Sequence, residues 1–264
     1  MPATFSIITV TRNHAAGLCR TLESIAAQSC RDFEVLVVDG RSTDETPSVL
    51  NRFEDLPIVF LKDSGEGVYA AMNQGVQAAK GEWVIFMNAG DCFYDSSVLA
   101  RFNAPEGVDL LYGNAWKEDR SRAFSYRPFE EIWKGNVFCH QSLFARSEIL
   151  RRFPFREKMQ IVADYAFYID CLRDGCRFSW IDLDVALIEP GGISAKGMLR
   201  RTRERYPIAR KAFSDQPVRR YYFGLFVRQL TGLLIPGAKR RPLRGWRRLF
   251  RRRGRANRKT NFEV

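Results

Sequence analysis

Residues 84–91 read V-I-F-M-N-A-G-D, four apolar positions suited to a buried strand and then, at once, Asn, Ala, Gly and Asp. A second run at 33–44, F-E-V-L-V-V-D-G-R-S-T-D, also carries Asp and Gly at the end of an apolar stretch. A carboxylate fixed at the end of a stiff strand suits a divalent cation such as Mg²⁺ or Mn²⁺, which takes one or two protein carboxylates and completes its shell with phosphate oxygens. Asp91 is therefore a candidate metal ligand for a phosphate-bearing substrate. Asn, Gly and Asp are also ordinary turn formers whose side chains bond their own backbone or tolerate positive φ, so either run taken alone reads equally as a strand meeting a turn. The repetition is what favours a site.

Acids at strand ends need strands that end together. The segment T-F-S-I-I-T-V (4–10) is β-branched and stops at T-R-N-H, after which Leu18, Leu22, Ile25 and Ala26 recur at helical spacing as far as Gln28. A second strand spans 33–38, followed by a helix over about 45–53 with Asp44 as its cap, and I-V-F-L-K (58–62) is a third strand. Val68, Met72 and Val76 share one helical face as far as Ala79, where Gly81 stops the helix. Strands alternating with helices at this spacing imply parallel β/α units with right-handed crossovers, and in such sheets the ligand crevice lies beyond the carboxyl ends of the strands. Thr9 to Asn13, Asp39 and Asn88 to Asp91 all fall at such ends. Beyond residue 100, segments 109–116 and 177–183 read as strands, 163–175 as a helix ended by Gly175, and E-P-G-G-I-S-A-K-G (189–197) as a glycine-rich flap, joined by Gly65 to Gly67 in closing over a bound ligand.

With 264 residues, 45% of them hydrophobic, the chain buries a sizeable core and is not a disordered protein. The six cysteines show no CxxC pairing, which argues against a zinc site and a disulfide framework and for reduced, mostly buried thiols in a cytosolic protein. The N-terminus M-P-A-T-F-S-I-I-T-V lacks the pattern of a secretory signal, so the expectation is a cytoplasmic protein. The net charge of +12 divides unevenly: residues 1–199 hold 21 Lys and Arg against 27 Asp and Glu, a net of −6, and residues 200–264 hold 21 against three, a net of +18. This sets a site-bearing domain at 1–199 and a basic C-terminal helical extension at 200–264.

In order, T-V-T-R-N (9–13), V-V-D-G-R-S-T-D (37–44), G-V-Y-A-A-M-N-Q-G (67–75), F-M-N-A-G-D (86–91), H-Q (140–141) and A-D-Y (163–165) form a succession that resembles the family 2 inverting glycosyltransferases of GT-A fold. The resemblance covers about residues 4–195 and is strongest to the bacterial branch that builds exopolysaccharide and lipid-linked repeat units. It implies a Rossmann-like, mostly parallel α/β sheet flanked by helices, and transfer of a sugar from a nucleotide-sugar donor to a saccharide, lipid-linked acceptor in surface polysaccharide biosynthesis. It implies that Thr9 and Arg12 line the nucleotide pocket, that Asp39 accepts a hydrogen bond from the base, that Tyr69, Asn73 and Asn88 border the donor, and that Asp91 holds Mg²⁺ or Mn²⁺. Asp164 corresponds to the carboxylate that takes the acceptor proton in an inverting transfer. His140 stands either as an acceptor or phosphate contact or as a structural group. The chain departs from the pattern at Asn88 and Gly90, where the family often has acids, the second of them a ribose contact, and at Ala70.

Two other readings fit less well. A nucleotidyltransferase on a similar sheet needs a basic glycine-rich loop after the first strand, and T-R-N-H-A-A-G is poor in glycine and lysine. A nucleic-acid-binding protein acting through its tail leaves the acidic first 199 residues without a purpose. In the extension, Y-Y-F-G-L-F-V-R-Q-L-T-G-L-L-I-P (221–236) is too short and polar to span a bilayer. Trp246, Leu249 and Phe250 among arginines suit an interfacial helix on an anionic cytoplasmic leaflet.

Overall fold

The β-branched run at Phe5–Thr11 forms β1, which pairs in parallel with β2 (Phe33–Asp39) on one side and β4 (Trp83–Phe86) on the other. β2 pairs in parallel with β3 (Ile58–Lys62). The registers Thr11 with Asp39 and Ile8 with Phe86 bring the carboxyl ends of β1, β2 and β4 to one level, which puts Asp39 and the 88–91 turn on the same edge. These relations belong to a computed structural model that describes residues 4–63, 66–117, 119, 121, 128–191 and 197–234.

Beyond β4 the sheet becomes mixed. The short β5 (Cys92–Phe93), β6 (Leu110–Lys117), β7 (Leu143–Arg146) and β8 (Phe178–Ile188) complete eight strands in the order β3-β2-β1-β4-β7-β6-β8-β5. β7 runs antiparallel to both β4 and β6, while β6 and β8 are parallel and bulged. Alternating side chains divide the core between the two faces. Ile7, Val35, Val37 and Ile85 pack with Leu18, Leu22 and Ile25 of α1 (Ala15–Ala26). Ile8, Leu36, Val84 and Phe86 pack with Met72 and Val76 of α2 (Val68–Ala78) and with Tyr165, Phe167 and Tyr168 of α4 (Ala163–Arg173). The short α3 (Ser147–Arg152) follows β7, and α5 (Met198–Ala212) packs on α4 and pairs with α6 (Val218–Leu234).

Several local expectations are corrected. In place of a helix over 45–53 there is a 3-10 turn, Pro47–Arg52. Asp44 does not cap it; its carboxylate accepts from the Thr46 N–H at 3.0 Å and hydroxyl at 2.5 Å, closing a turn on its own chain. α2 ends before Gly81, with Ala79 already extended. Gly81 is needed for another reason: a Cβ there would stand 2.6 Å from backbone atoms of Phe5 and Ser6, so glycine lets the entry to β4 cross close to β1. Gly175 does end α4, at φ +84°, with the Cys176 N–H reaching back to the Cys171 carbonyl at 3.0 Å. All six cysteines are free, but only Cys139 and Cys171 are buried. The boundary drawn at 199 falls inside α5, which crosses it as one continuous helix. Most of the expected flap and the stretch from 235 onward lie outside the described residues. Among the described residues no helix is long and apolar enough to cross a membrane.

Candidate active site

The turn after β4 is held from below by α1. The Thr21 hydroxyl donates to the Asp91 carbonyl at 2.7 Å and accepts from the Gly90 N–H at 3.0 Å, and Arg20 donates to the Gly90 carbonyl. Gly90 takes φ +103°, the left-handed region that favours glycine. So clamped, the Asp91 carboxylate is buried at 6% exposure. It accepts from Gln141 Nε2 at 3.0 Å and from the Glu189 N–H at 2.9 Å. Burial pushes its pKa up, against those two donors and nearby His140, and the neighbouring Glu189 charge adds to the rise.

Glu189 is the acid that sequence reasoning missed. It follows the end of β8, and its carboxylate lies over Gly90 so closely that a Cβ there would stand 2.2 Å from Glu189 Oε2. His14 and Arg20 flank the same carboxylate at 3.6 and 3.9 Å. An acid is thus delivered to the place left open by Gly90, from a residue 99 positions further along the chain. The glycine at 90 was visible in the sequence, but nothing there pointed to the residue that covers it.

The second acid, Asp164, opens α4 and is 8% exposed. Its Oδ2 accepts from Asn136 Nδ2 at 2.7 Å and its Oδ1 from the Tyr165 N–H at 2.7 Å. The segment 136–141 bridges the two acids: Asn136 bonds Asp164, Gln141 bonds Asp91, and His140 sits between, its Nε2 3.2 Å from Asn88 Nδ2. Burial pushes the His140 imidazole below its ordinary range, while the charges of Asp164 and Asp91 both act to raise it. At neutral pH this histidine is an uncharged partner for Asn88. Asn136 was not anticipated, and it lies in no periodic segment that would have marked it.

The remaining anticipated residues divide into two groups. Thr9 is fully buried on β1, and neither its hydroxyl nor Asn88 Oδ1 finds a hydrogen-bond partner among the described residues. Asp39, 2% exposed, closes on its own loop, accepting from the Ser42 N–H at 3.0 Å and hydroxyl at 2.5 Å. Arg12 is exposed and its stem covers Gly40, beside Asp39. Tyr69 is buried with its phenol against the N–H groups of Ala163 and Asp164; burial and the Asp164 charge push its pKa up. Asn73 uses its whole amide on the facing segment, donating to the Phe155 carbonyl and Glu157 Oε1 and accepting from the Phe155 N–H, each at 2.9 Å. A cavity of about 770 Å³ beyond β2 and β3 is lined by Arg41, Lys62, Asp63, Glu66, Asn73 and Glu157. Neither Asp91 nor Asp164 lines it, so this cavity does not hold the two acids.

Among the described residues no three His, Cys, Asp or Glu side chains converge as a metal cage. What is present is one buried carboxylate of raised pKa, a second acid beside it and an unpartnered amide oxygen. That donor set fits an ion shared with phosphate oxygens, not one enclosed by protein alone.

Asp91 beyond the carboxyl end of β4 and Asp164 at the start of α4 lie on either side of one histidine-bearing bridge, an arrangement of the crevice type seen in mixed α/β sheets. The chain belongs to glycosyl transferase family 2, whose sequence profile matches residues 6–159. It is 38% identical over 182 residues to a PGL/p-HBAD biosynthesis glycosyltransferase of Mycobacterium tuberculosis, covering 64% of this chain and 70% of that one. It is 26% identical over 185 residues to the UDP-Glc:alpha-D-GlcNAc-diphosphoundecaprenol beta-1,3-glucosyltransferase WfaP of Escherichia coli, covering 65% and 71%. Its fold is similar to that of the mannosyltransferase PcManGT of Pyrobaculum calidifontis, solved with GDP-Man and Mn²⁺, at a TM-score of 0.63 and 20% identity over 89% of this chain and 76% of that one. The expected GT-A-type α/β sheet and the glycosyltransferase class are both met.

Proposed function

We propose that this enzyme transfers a sugar, with inversion, from a nucleotide-sugar donor to a lipid-linked saccharide in cell-surface polysaccharide synthesis. The observation that carries the reading is the pair Asp91 and Asp164, both buried and both close enough to His140 to act on it. The donor diphosphate lies at the Asp91 end. The cavity beyond β2 and β3 takes the nucleoside, with Arg41 and Lys62 on its lining and Asn73 in its wall, and Asp39 and Arg12 lie at the neighbouring turn. Asp91, with Glu189 and Asn88 Oδ1 beside it, would hold Mg²⁺ or Mn²⁺, which when bound offsets negative charge on the departing nucleotide. Asp164 accepts the proton from the acceptor hydroxyl as that oxygen attacks the anomeric carbon from the face opposite the diphosphate. The names of the E. coli relative and the archaeal mannosyltransferase support a lipid-linked acceptor and a divalent ion respectively.

Incubation with a panel of UDP-, GDP- and dTDP-sugars, with and without Mn²⁺, tests this directly. Slow release of nucleoside diphosphate from one donor, dependent on the ion, is expected; tight nucleic-acid binding with no release from any donor would overturn it.

The enzyme works as a peripheral protein on the cytoplasmic leaflet. Supporting this, α5 and α6 form a groove of about 620 Å³ lined by Arg203, Tyr206, Arg219, Arg220, Tyr222 and Phe223, with Phe223 71% exposed. Arginines and aromatics on one face suit an anionic interface, and residues 235–264 add 12 Lys and Arg against one acid. Like charge argues against that stretch as the occupant of the groove. Each basic residue near the surface contributes about 1 kcal/mol that salt screens. Deleting residues 237–264, or substituting Phe223→Asp, should weaken cosedimentation with anionic vesicles, leave neutral vesicles unbound and preserve donor hydrolysis. Full-length protein that ignores anionic vesicles would exclude the surface role.

A further inference from the structure

We propose that two consecutive residues of α5, Glu204 and Arg205, are positioning residues for Asp164, so that the C-terminal helix completes the active site. The proposal rests on the reading of Asp164 as the base.

α4 opens without a cap of its own. The residue before its first turn is Val162, which makes no side-chain cap bond, and the N–H groups at a helix start need acceptors from elsewhere. Glu204 holds the segment that leads into the helix, from 42 to 44 residues further along the sequence. Its Oε2 accepts from the Ile161 N–H at 3.1 Å and the Val162 N–H at 3.3 Å, and its Oε1 from the Gln160 N–H at 3.3 Å. Tyr69 approaches the next two N–H groups from α2. The backbone that carries Asp164 is therefore pinned from two helices, and a carboxylate at a helix N-terminus is also favoured by the helix dipole.

Arg205 acts on the side chain. Its Nη2 donates to Asn136 Oδ1 at 3.2 Å, and Asn136 Nδ2 donates onward to Asp164 Oδ2 at 2.7 Å. An asparagine amide can turn over and present its oxygen instead, which would set oxygen against carboxylate. A guanidinium has only donors, so Arg205 holds the amide with its NH₂ toward Asp164. The guanidinium is itself seated, 5.0 Å from the centroid of the Tyr165 ring. Gly135 gives it room, since a Cβ there would stand 2.4 Å from Arg205 Nη1. Arg201, one turn earlier on α5, adds its charge to the surroundings of Asp164. With one bond on each oxygen, Asp164 keeps its remaining lone pairs for an incoming proton.

A double-mutant cycle on the full chain tests the relay, reading nucleoside diphosphate released from the sugar-nucleotide panel under Mn²⁺ together with the thermal midpoint. Arg205→Met keeps the stem against Tyr165 and removes the donors; kcat should fall about 10- to 100-fold with donor KM changed less than about twofold. In an Asp164→Asn background the same substitution should change kcat by less than about twofold, because the relay then has no base to aim. Glu204→Gln, which keeps an acceptor oxygen, should recover most of the roughly tenfold loss expected of Glu204→Ala. Arg205→Lys, which retains the charge but not the fork, serves the same test if Arg205→Met fails to fold. If Asp164→Asn leaves kcat intact, the base reading fails and this proposal with it. If Asp164→Asn is slow but the Arg205 variant turns over at the wild-type rate, or loses the same factor in both backgrounds, the positioning proposal alone is overturned.

Discussion

Asp164→Asn should slow the chemical step by about 10² to 10⁴-fold while donor affinity stays within about twofold. The substitution keeps the shape of the side chain and removes its ability to take a proton. Local geometry sharpens the expectation. Both oxygens of Asp164 accept hydrogen bonds, from Asn136 and from the Tyr165 N–H. An asparagine can satisfy only one of them with its oxygen, and the Asn136 amide is not free to turn because Arg205 donates to its other end. One bond is therefore lost, at a cost of about 1 kcal/mol in stability. A small drop in the thermal midpoint should accompany a large drop in kcat. Pre-steady-state release of nucleoside diphosphate, with donor titration followed separately, resolves the two. A loss of donor affinity as large as the loss in kcat would mean that Asp164 holds the donor and is not the base.

How much of this was legible in the sequence follows from range. β1, β2, β4 and α1 could be read because their signal is local: β-branched runs bounded by turn residues, and Leu18, Leu22 and Ile25 on one helical stripe, all fully buried. The level at which the strands end follows from their pairing, and it carried Asp39 and Asp91 to one edge as anticipated. The error at Asp44 has a specific cause. The oxygen that would cap a helix can equally close a turn two residues on, and only Val49 in the following Pro47–Arg52 segment is buried, too little apolar surface to sustain an α-helix. The two-residue β5 is shorter than any periodicity can mark.

The parts of the site that escaped detection are those assembled across the chain. Asn136 reaches Asp164 over 28 positions, Glu189 reaches Asp91 over 98, and Glu204 binds the N–H groups of residues 160–162, just before α4, from another helix. Each is an ordinary polar residue in its own neighbourhood and acquires a role only through packing. Charge counting sets a boundary at 199, yet Glu204, one of three acids in that basic stretch, ties α5 to the segment entering α4. A sum over 65 residues hides each individual side chain of opposite sign.

Asp91→Ala should abolish ion-dependent turnover, and its effect on stability should separate a metal ligand from a structural acid. Burial raises the Asp91 pKa in the folded protein above its unfolded value. For a raised group, the stabilisation is fully present below the unfolded pKa, about 3.9 for aspartate, and is lost as pH rises through the folded one. By neutral pH the ionised carboxylate therefore destabilises the ion-free protein. Asp91→Asn removes that burden and keeps an acceptor for the Glu189 N–H, while Gln141 can turn its own amide to match. In ion-free buffer its thermal midpoint should equal or exceed that of the wild type, by a margin that grows from pH 4 to pH 7. Mn²⁺ together with UDP or GDP reverses the order. Ligand at about 100 times its dissociation constant stabilises the wild type by about 2.7 kcal/mol, and neither Asp91→Ala nor Asp91→Asn should gain comparably. A variant lacking Asp91 that keeps both the Mn²⁺-dependent rise in midpoint and full turnover would remove this residue from the metal site and shift attention to Glu189.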